Sequence, residues 1–203
     1  MGFKDFKAKM KSTEQQEKLS SAFEEKSYVD DRYWNPQRDK NGNFTGVIRF
    51  LPAGNDEEQY YVTMYNYAFQ NKQTEQWYIE NSLQTIDLPD PVAQANQELW
   101  ATGEEANKNI VRGRKRHTKF ISNILVIKDS ANPDNEGKVF LYKYGKAIHN
   151  KIKEAINPQF PDEKPVNPFD MWDGANFKMR IFKDQSTGFP NYDKCVFDTP
   201  EAL

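Results

Sequence analysis

The sequence predicts a mainly β fold with helices, an α+β domain built around a small barrel. Two observations carry this. Short runs rich in β-branched and aromatic residues recur between Gly, Pro and Asn turn signals, and few segments show helical periodicity. A third makes such a core feasible: 14 Phe, 10 Tyr and 4 Trp supply bulk to a chain only 37% hydrophobic. A length of 203 residues suits one domain with a small satellite.

Residues 1–30 read as a polar arm. Lys4, Lys7, Lys9 and Lys11 face only Asp5, and "STEQQEKLSSAFEEK" has weak helical pattern behind a Ser12 or Thr13 cap. No apolar h-region marks a signal peptide, and no run approaches the roughly 20 apolar residues that span a membrane. The single cysteine, Cys195, rules out an intrachain disulfide and fits a reducing cytoplasm.

The main domain, 31–203, then unfolds in order. Asn41-Gly42 turns the chain into a strand, "FTGVIRFLP" (44–52). "QYYVTMYNYAF" (59–69) is a second, with Tyr61, Thr63, Tyr65, Tyr67 and Phe69 on one face. Trp77–Ile79 suggests a third. A helix is expected over 91–108. "KFISNILVIK" (119–128) and "KVFLYKYG" (138–145) read as adjacent strands joined by a turn-rich loop. "KAIHNKIKEAI" (146–156) is the clearest helix, with Ile148, Ile152 and Ile156 at i, i+4 and i+8. Two further strands, "ANFKMRIF" and "FPNYDKCVF", follow a Pro-rich connection. Many short strands and few helices favour a small barrel, of which the OB type is one.

Charge is segregated along the chain. Between Gln73 and Asn107 there are seven acids and no Lys or Arg; between Lys108 and Lys153 there are twelve Lys or Arg against three acids. That second stretch carries +9 in a chain whose formal net charge is −2. A basic segment without nearby acids is the footprint of a polyanion site. Its candidates are Arg112, Arg114, Lys115, Arg116, Lys119, Lys143 and Lys146.

Enzymatic chemistry finds little support. Two histidines and one cysteine leave little for nucleophilic catalysis, and no Gly-rich phosphate loop or H-E-x-x-H is present. Asp134 and Glu136 with Lys138 suggest a metal-dependent nuclease only superficially. Such a site needs acids from separate strands around an ion, and these two sit in one Pro-Asn-Gly turn. Aromatics beside cations are more telling, because single-strand binding pairs base-stacking platforms with phosphate contacts. Tyr142 and Tyr192 are preferred as platforms over Phe140, because a tyrosine keeps its hydroxyl wet. Phe120 and Phe189 lie in similar company.

"VIRFLP" (47–52), "WYIE" (77–80), "NILVIKD" with "NEGKVFLYKYGKAI" (123–148), and "WDGANF" with "GFPNYD" (172–193) resemble the helix-destabilising single-stranded-DNA-binding protein family of T-even-type bacteriophages. The similarity runs from about residue 44 to 197 and is weakest between 81 and 110. It implies an OB-fold groove that holds single strands without sequence preference, serving replication, recombination and repair in the cytoplasm of an infected bacterium. An RNA-binding regulator on the same fold stays open, since nothing obvious rejects a 2′-hydroxyl. The resemblance carries groove aromatics to Phe120, Tyr142, Phe189 and Tyr192, and puts Ile121 where the family has a tryptophan. "RKRHT" (114–118) falls on its basic, hydroxyl-bearing stretch. It implies that Lys9, Lys11, Ser12 and Thr13 of "KMKST" reach the neighbouring protomer along the strand. Phage replication and recombination proteins are further implied partners. The resemblance also implies further helices and an acidic, partner-recruiting tail beyond the point that "FDTPEAL" reaches.

Zinc is the main departure. The family's ligand positions fall on Tyr67, Ser82, Asp90 and Ala93, which lack the imidazole and thiolates a tetrahedral zinc site uses. No cofactor is therefore expected. Segment 70–110 is read as a degenerate zinc subdomain, held by packing of Leu83, Ile86, Leu88, Val92, Leu99 and Trp100.

Overall fold

A computed structural model of the chain describes residues 30–54 and 59–203. The chain divides into two units, 1–31 and 32–203, and the second contains the sheet. Lys9, Lys11, Ser12 and Thr13 lie outside the described residues.

The strands in chain order are β1 (Tyr33–Trp34), β2 (Phe44–Phe50), β3 (Val62–Gln70), β4 (Trp77–Asn81), β5 (His117–Asp129), β6 (Val139–Tyr144), β7 (Ala175–Lys183), β8 (Pro190–Asn191) and β9 (Val196–Pro200). The helices are α1 (Pro91–Ala101), α2 (Glu105–Gly113) and α3 (Lys146–Ile156). This is a mainly β, α+β arrangement with an open sheet.

The long strand β5 organises the sheet because its 13 residues outrun any one partner. Along one edge it pairs antiparallel with β6. Along the other it pairs first with β3, from His117 to Ile121, and then with β2, from Ile124 to Asp129. β2 carries β7, which in turn carries β8 and β9; β3 carries β4; β1 adds to β6 in parallel. A register shift between Val47 and Ile48 bends β2 where it meets β5. Gly46 beside it must lack a side chain, since a Cβ would sit 2.7 Å from the Phe44 ring and 2.8 Å from the Lys128 carbonyl.

Period-two alternation decides what each strand buries. Phe120, Ser122, Ile124 and Val126 of β5 point inward with Tyr142 and Tyr144 of β6, Ile48 and Phe50 of β2, and Phe177, Met179 and Ile181 of β7. Helix α3 closes this core with Ile148 and Ile152, each contributing about 1.5–3 kcal/mol on full burial. Ile156, the third of the expected stripe, is exposed at the helix end.

Two buried ions tie loops to the sheet. Arg49 donates to the Asp170 and Glu201 carbonyls, both at 2.9 Å. Asp129 accepts from the Trp34 indole and the Asn135 amide at 2.9 Å, and from the Ala131 and Asn132 backbone at 3.0 Å. Burial opposes its ionisation, but those bonds together outweigh it and hold its pKa below the usual carboxylate value.

Two sequence expectations change. The single helix over 91–108 is two helices, broken at Gly103, whose φ of +76° is left-handed. "FPNYDKCVF" divides into β8 and β9 rather than forming one strand.

Candidate nucleic-acid interface

Directly paired residues point to the same face of a sheet, so register sorts the candidates. Ile121 of β5 pairs with Lys143 of β6 and with Val62 of β3; Asn123 pairs with Leu141, and Leu141 with Tyr33. These side chains, with Lys119, line the face opposite the core. The structure thus puts Lys119 and Lys143 on one face, and the Lys143 ammonium sits 5.0 Å over the Tyr33 ring. An open cleft of about 370 Å³ lies on this surface, lined by Gln59 to Val62, Ile121 to Asn123 and Leu141.

The same rule corrects two assignments. Phe120 and Tyr142 belong to the inner set and are only 7% and 3% exposed. Phe120 stacks flat on His149, centroids 3.7 Å apart. Tyr142 packs edge-on against Trp34 at 5.2 Å. Burial, with Tyr192, Cys195 and Tyr144 nearby, pushes the Tyr142 phenol well above its ordinary pKa. The preference for a wet hydroxyl fails because β1 covers this ring, and a two-residue parallel strand leaves no periodicity to detect. Neither ring is an open platform. Phe140, the less favoured ring, is half-buried against the same core.

On the hairpin side, Phe189 is 72% exposed after Gly188, whose φ is +73°. Tyr192 is half-buried against the core; burial raises its pKa, while the Arg38 charge acts the other way. Sequence reading missed Tyr33 and Tyr60. Tyr33 lies among charged residues with no long strand to assign it a face; Tyr60 falls in the expected strand over 59–69, on the face opposite its aromatic stripe, and precedes the observed start of β3 at Val62.

The basic run sits where α2 hands the chain to β5. Its cations lie on rings: Arg116 is 3.8 Å over Tyr65, Arg114 5.4 Å over Phe69, and Arg112 5.7 Å over Trp100. Arg116 also donates to the Gln84 amide oxygen. Arg112 is ion-paired with Glu105, so the acids missing from the run are supplied by its own helix. Lys115 is exposed and has no ion pair among those resolved in the described residues. Lys146 is exposed at the first position of α3, where the helix dipole disfavours a cation, so its charge does not serve helix stability.

Tyr67, Ser82, Asp90 and Ala93 do come together, but around a carboxylate. Asp90 accepts from the Ser82 hydroxyl at 2.5 Å, the Ala93 backbone at 2.9 Å, the Leu83 backbone at 3.1 Å and the Tyr67 phenol at 3.4 Å. A methyl, two hydroxyls and one carboxylate do not fit zinc. The expected packing is corrected too: Leu83, Ile86, Leu88 and Trp100 are exposed. Hydrogen bonds to Asp90, which also caps α1, replace it at the junction of β3 and α1.

Asp134 and Glu136 are exposed in one short turn, and Glu136 accepts from the Asp129 backbone. Among the described residues, no three His, Cys, Asp or Glu side chains are grouped to hold a metal ion. None of the described helices is long and apolar enough to cross a membrane.

A sequence model of the family described as gp32 DNA binding protein like matches residues 40–202. The chain belongs to that family. It is 39% identical over 175 residues to the single-stranded DNA-binding protein of Enterobacteria phage T2, an alignment covering 84% of this chain and 55% of the phage protein. The phage T4 protein of the same name is 38% identical over 175 residues, covering 84% and 56%. A single-stranded DNA-binding protein of Escherichia phage SV14 is 42% identical over 52 residues, 26% of this chain and 44% of its own length. The chain spans about half the length of the T2 and T4 relatives. The match to this gp32-like family runs from just before β2 to the end of β9, and so takes in the cationic outer face.

Proposed function

We propose that this gp32-like chain binds single-stranded DNA cooperatively and without sequence preference, in the replication, recombination and repair of a phage genome inside its bacterial host. The observation that carries the reading is a family match that spans the sheet face bearing Lys119 and Lys143. Relatives across most of this chain are named single-stranded DNA-binding proteins. The fold is read as OB-type. A long strand shared between two successive partners supports that reading, because a coiled strand in a small barrel must change neighbours. Action is by binding, not by covalent chemistry, and without zinc. The arm, residues 1–30, joins neighbouring protomers through Lys9, Lys11, Ser12 and Thr13.

The test is titration of a fluorescent oligonucleotide at several salt concentrations. Drawn from Arg114, Lys115, Arg116, Lys119, Lys143 and Lys146, about four to six phosphate contacts give a log–log slope of roughly −3 to −4. Affinity indifferent to salt would overturn the reading. An equal-length RNA competitor that displaces the DNA more strongly would move it to an RNA regulator.

A further inference from the structure

The outer face contains more than cations. Tyr60, just before β3, is 49% exposed; its ring is tilted 33° to that of Phe169 at a centroid distance of 5.1 Å, and it is one of the residues lining the 370 Å³ cleft. Ile121 and Leu141 line the same cleft. Ile121 is paired directly with Lys143, and Leu141 with Tyr33, over which the Lys143 ammonium is held. The cleft therefore holds an aromatic residue and aliphatic ones, and the Lys143–Tyr33 pair stands beside it as the register partners of Ile121 and Leu141.

The volume is at the lower end of small-molecule sites, which suits one planar group with its sugar. A flat apolar ring fits against Tyr60 by stacking, which every base permits irrespective of identity. The anion that accompanies it meets Lys143, with Lys119 on the same face. The burial of Phe120 and Tyr142 removes two of the four rings the resemblance puts in the groove, and Tyr60 and Tyr33 are aromatic residues at or beside this cleft.

The geometry points to a nucleotide subsite in this cleft, with a base of the bound single strand stacked on Tyr60 and its phosphate at the Lys143–Tyr33 pair. The assignment rests on the single-strand-binding reading and deepens it. Tyr33 acts by positioning the ammonium; Tyr60 touches the base.

The probe is a short oligothymidylate, long enough for one protein molecule, in wild type and in Tyr60→Ala, Tyr60→Phe and Tyr33→Ala variants, with melting measured alongside. Tyr60→Ala is expected to lose roughly tenfold in affinity with an unchanged salt slope, while Tyr60→Phe retains wild-type binding. Tyr33→Ala is expected to weaken binding and flatten the slope by up to about 0.7, one phosphate contact. Because Tyr60 also touches Phe169, a second measurement uses the wild-type chain. Ultraviolet crosslinking of a 5-iododeoxyuridine strand, mapped by mass spectrometry, should label the peptide that contains Tyr60. Wild-type affinity in Tyr60→Ala, or crosslinks confined to other peptides, would overturn the subsite while leaving single-strand binding intact. A wild-type chain that does not bind the oligonucleotide would instead remove the function on which the subsite rests.

Discussion

Asp90 is a carboxylate with a structural role at the four positions where the family resemblance implies a metal. Burial opposes its charge, but bonds from Ser82, Ala93, Leu83 and Val92 outweigh it and leave the pKa below its ordinary value of 3.8. A lowered folded-state pKa means that the ionised form is bound more tightly in the fold. The stabilisation is therefore complete above about pH 4 and is lost as pH falls through the folded value. Replacing Asp90 by Asn should cost about 1–3 kcal/mol at neutral pH, because donors around it lose their charged acceptor. The gap from wild type should close in strong acid. Thermal melts of both proteins across that range check this, and a melt that falls on adding chelator would show a metal instead. The zinc-ligand changes were legible in sequence, whereas the bonds that replace them depend on Ser82 and Asp90 meeting across eight residues of turn and helix cap.

At the scale of elements, strand parity separates rings that look alike in sequence. Tyr142 and Lys143 are neighbours in β6, yet one is core and the other surface, because successive side chains leave a strand on opposite faces. Tyr142→Ala should therefore destabilise the fold by about 3–5 kcal/mol, as for other large buried rings. Phe189→Ala, on the exposed hairpin, should leave melting unchanged and weaken single-strand binding by about 1–3 kcal/mol. Melting curves and oligonucleotide titrations on both variants separate the two roles. Unchanged melting in Tyr142→Ala would restore it as a surface ring. Elements with strong local pattern, such as α3, match expectation closely. The helix over 91–108 does not, because a left-handed residue at Gly103 costs little and so leaves no mark in apolar periodicity.

For the whole molecule, the proposed cooperativity turns on contacts between neighbouring copies on one strand. Contacts between neighbours act at an effective concentration that exists only when two molecules are adjacent. Deleting residues 1–20 should then weaken binding to long strands far more than to an oligonucleotide that accommodates one protein. Equal losses on both lengths would make the lysines of the arm a nonspecific contribution to affinity. Charge separation along the chain supplies a reason for attraction: the acids from Glu75 to Glu105 carry no Lys or Arg among them, while Lys4 to Lys11 oppose one acid.

Sequence by itself determined the β-rich class, the order of the long strands, helix α3, the basic run and the family. Each is written in local periodicity or in residue identity. Tertiary structure decided which rings are covered. A two-residue parallel strand buries Trp34 against Tyr142, and His149 lies flat on Phe120. It also decided that Arg114 and Arg116 rest on the rings of β3, and that Tyr33 meets Lys143. Those contacts join residues far apart in the chain. Burial is a property of what packs over a side chain, and no local window contains the residue that does the covering.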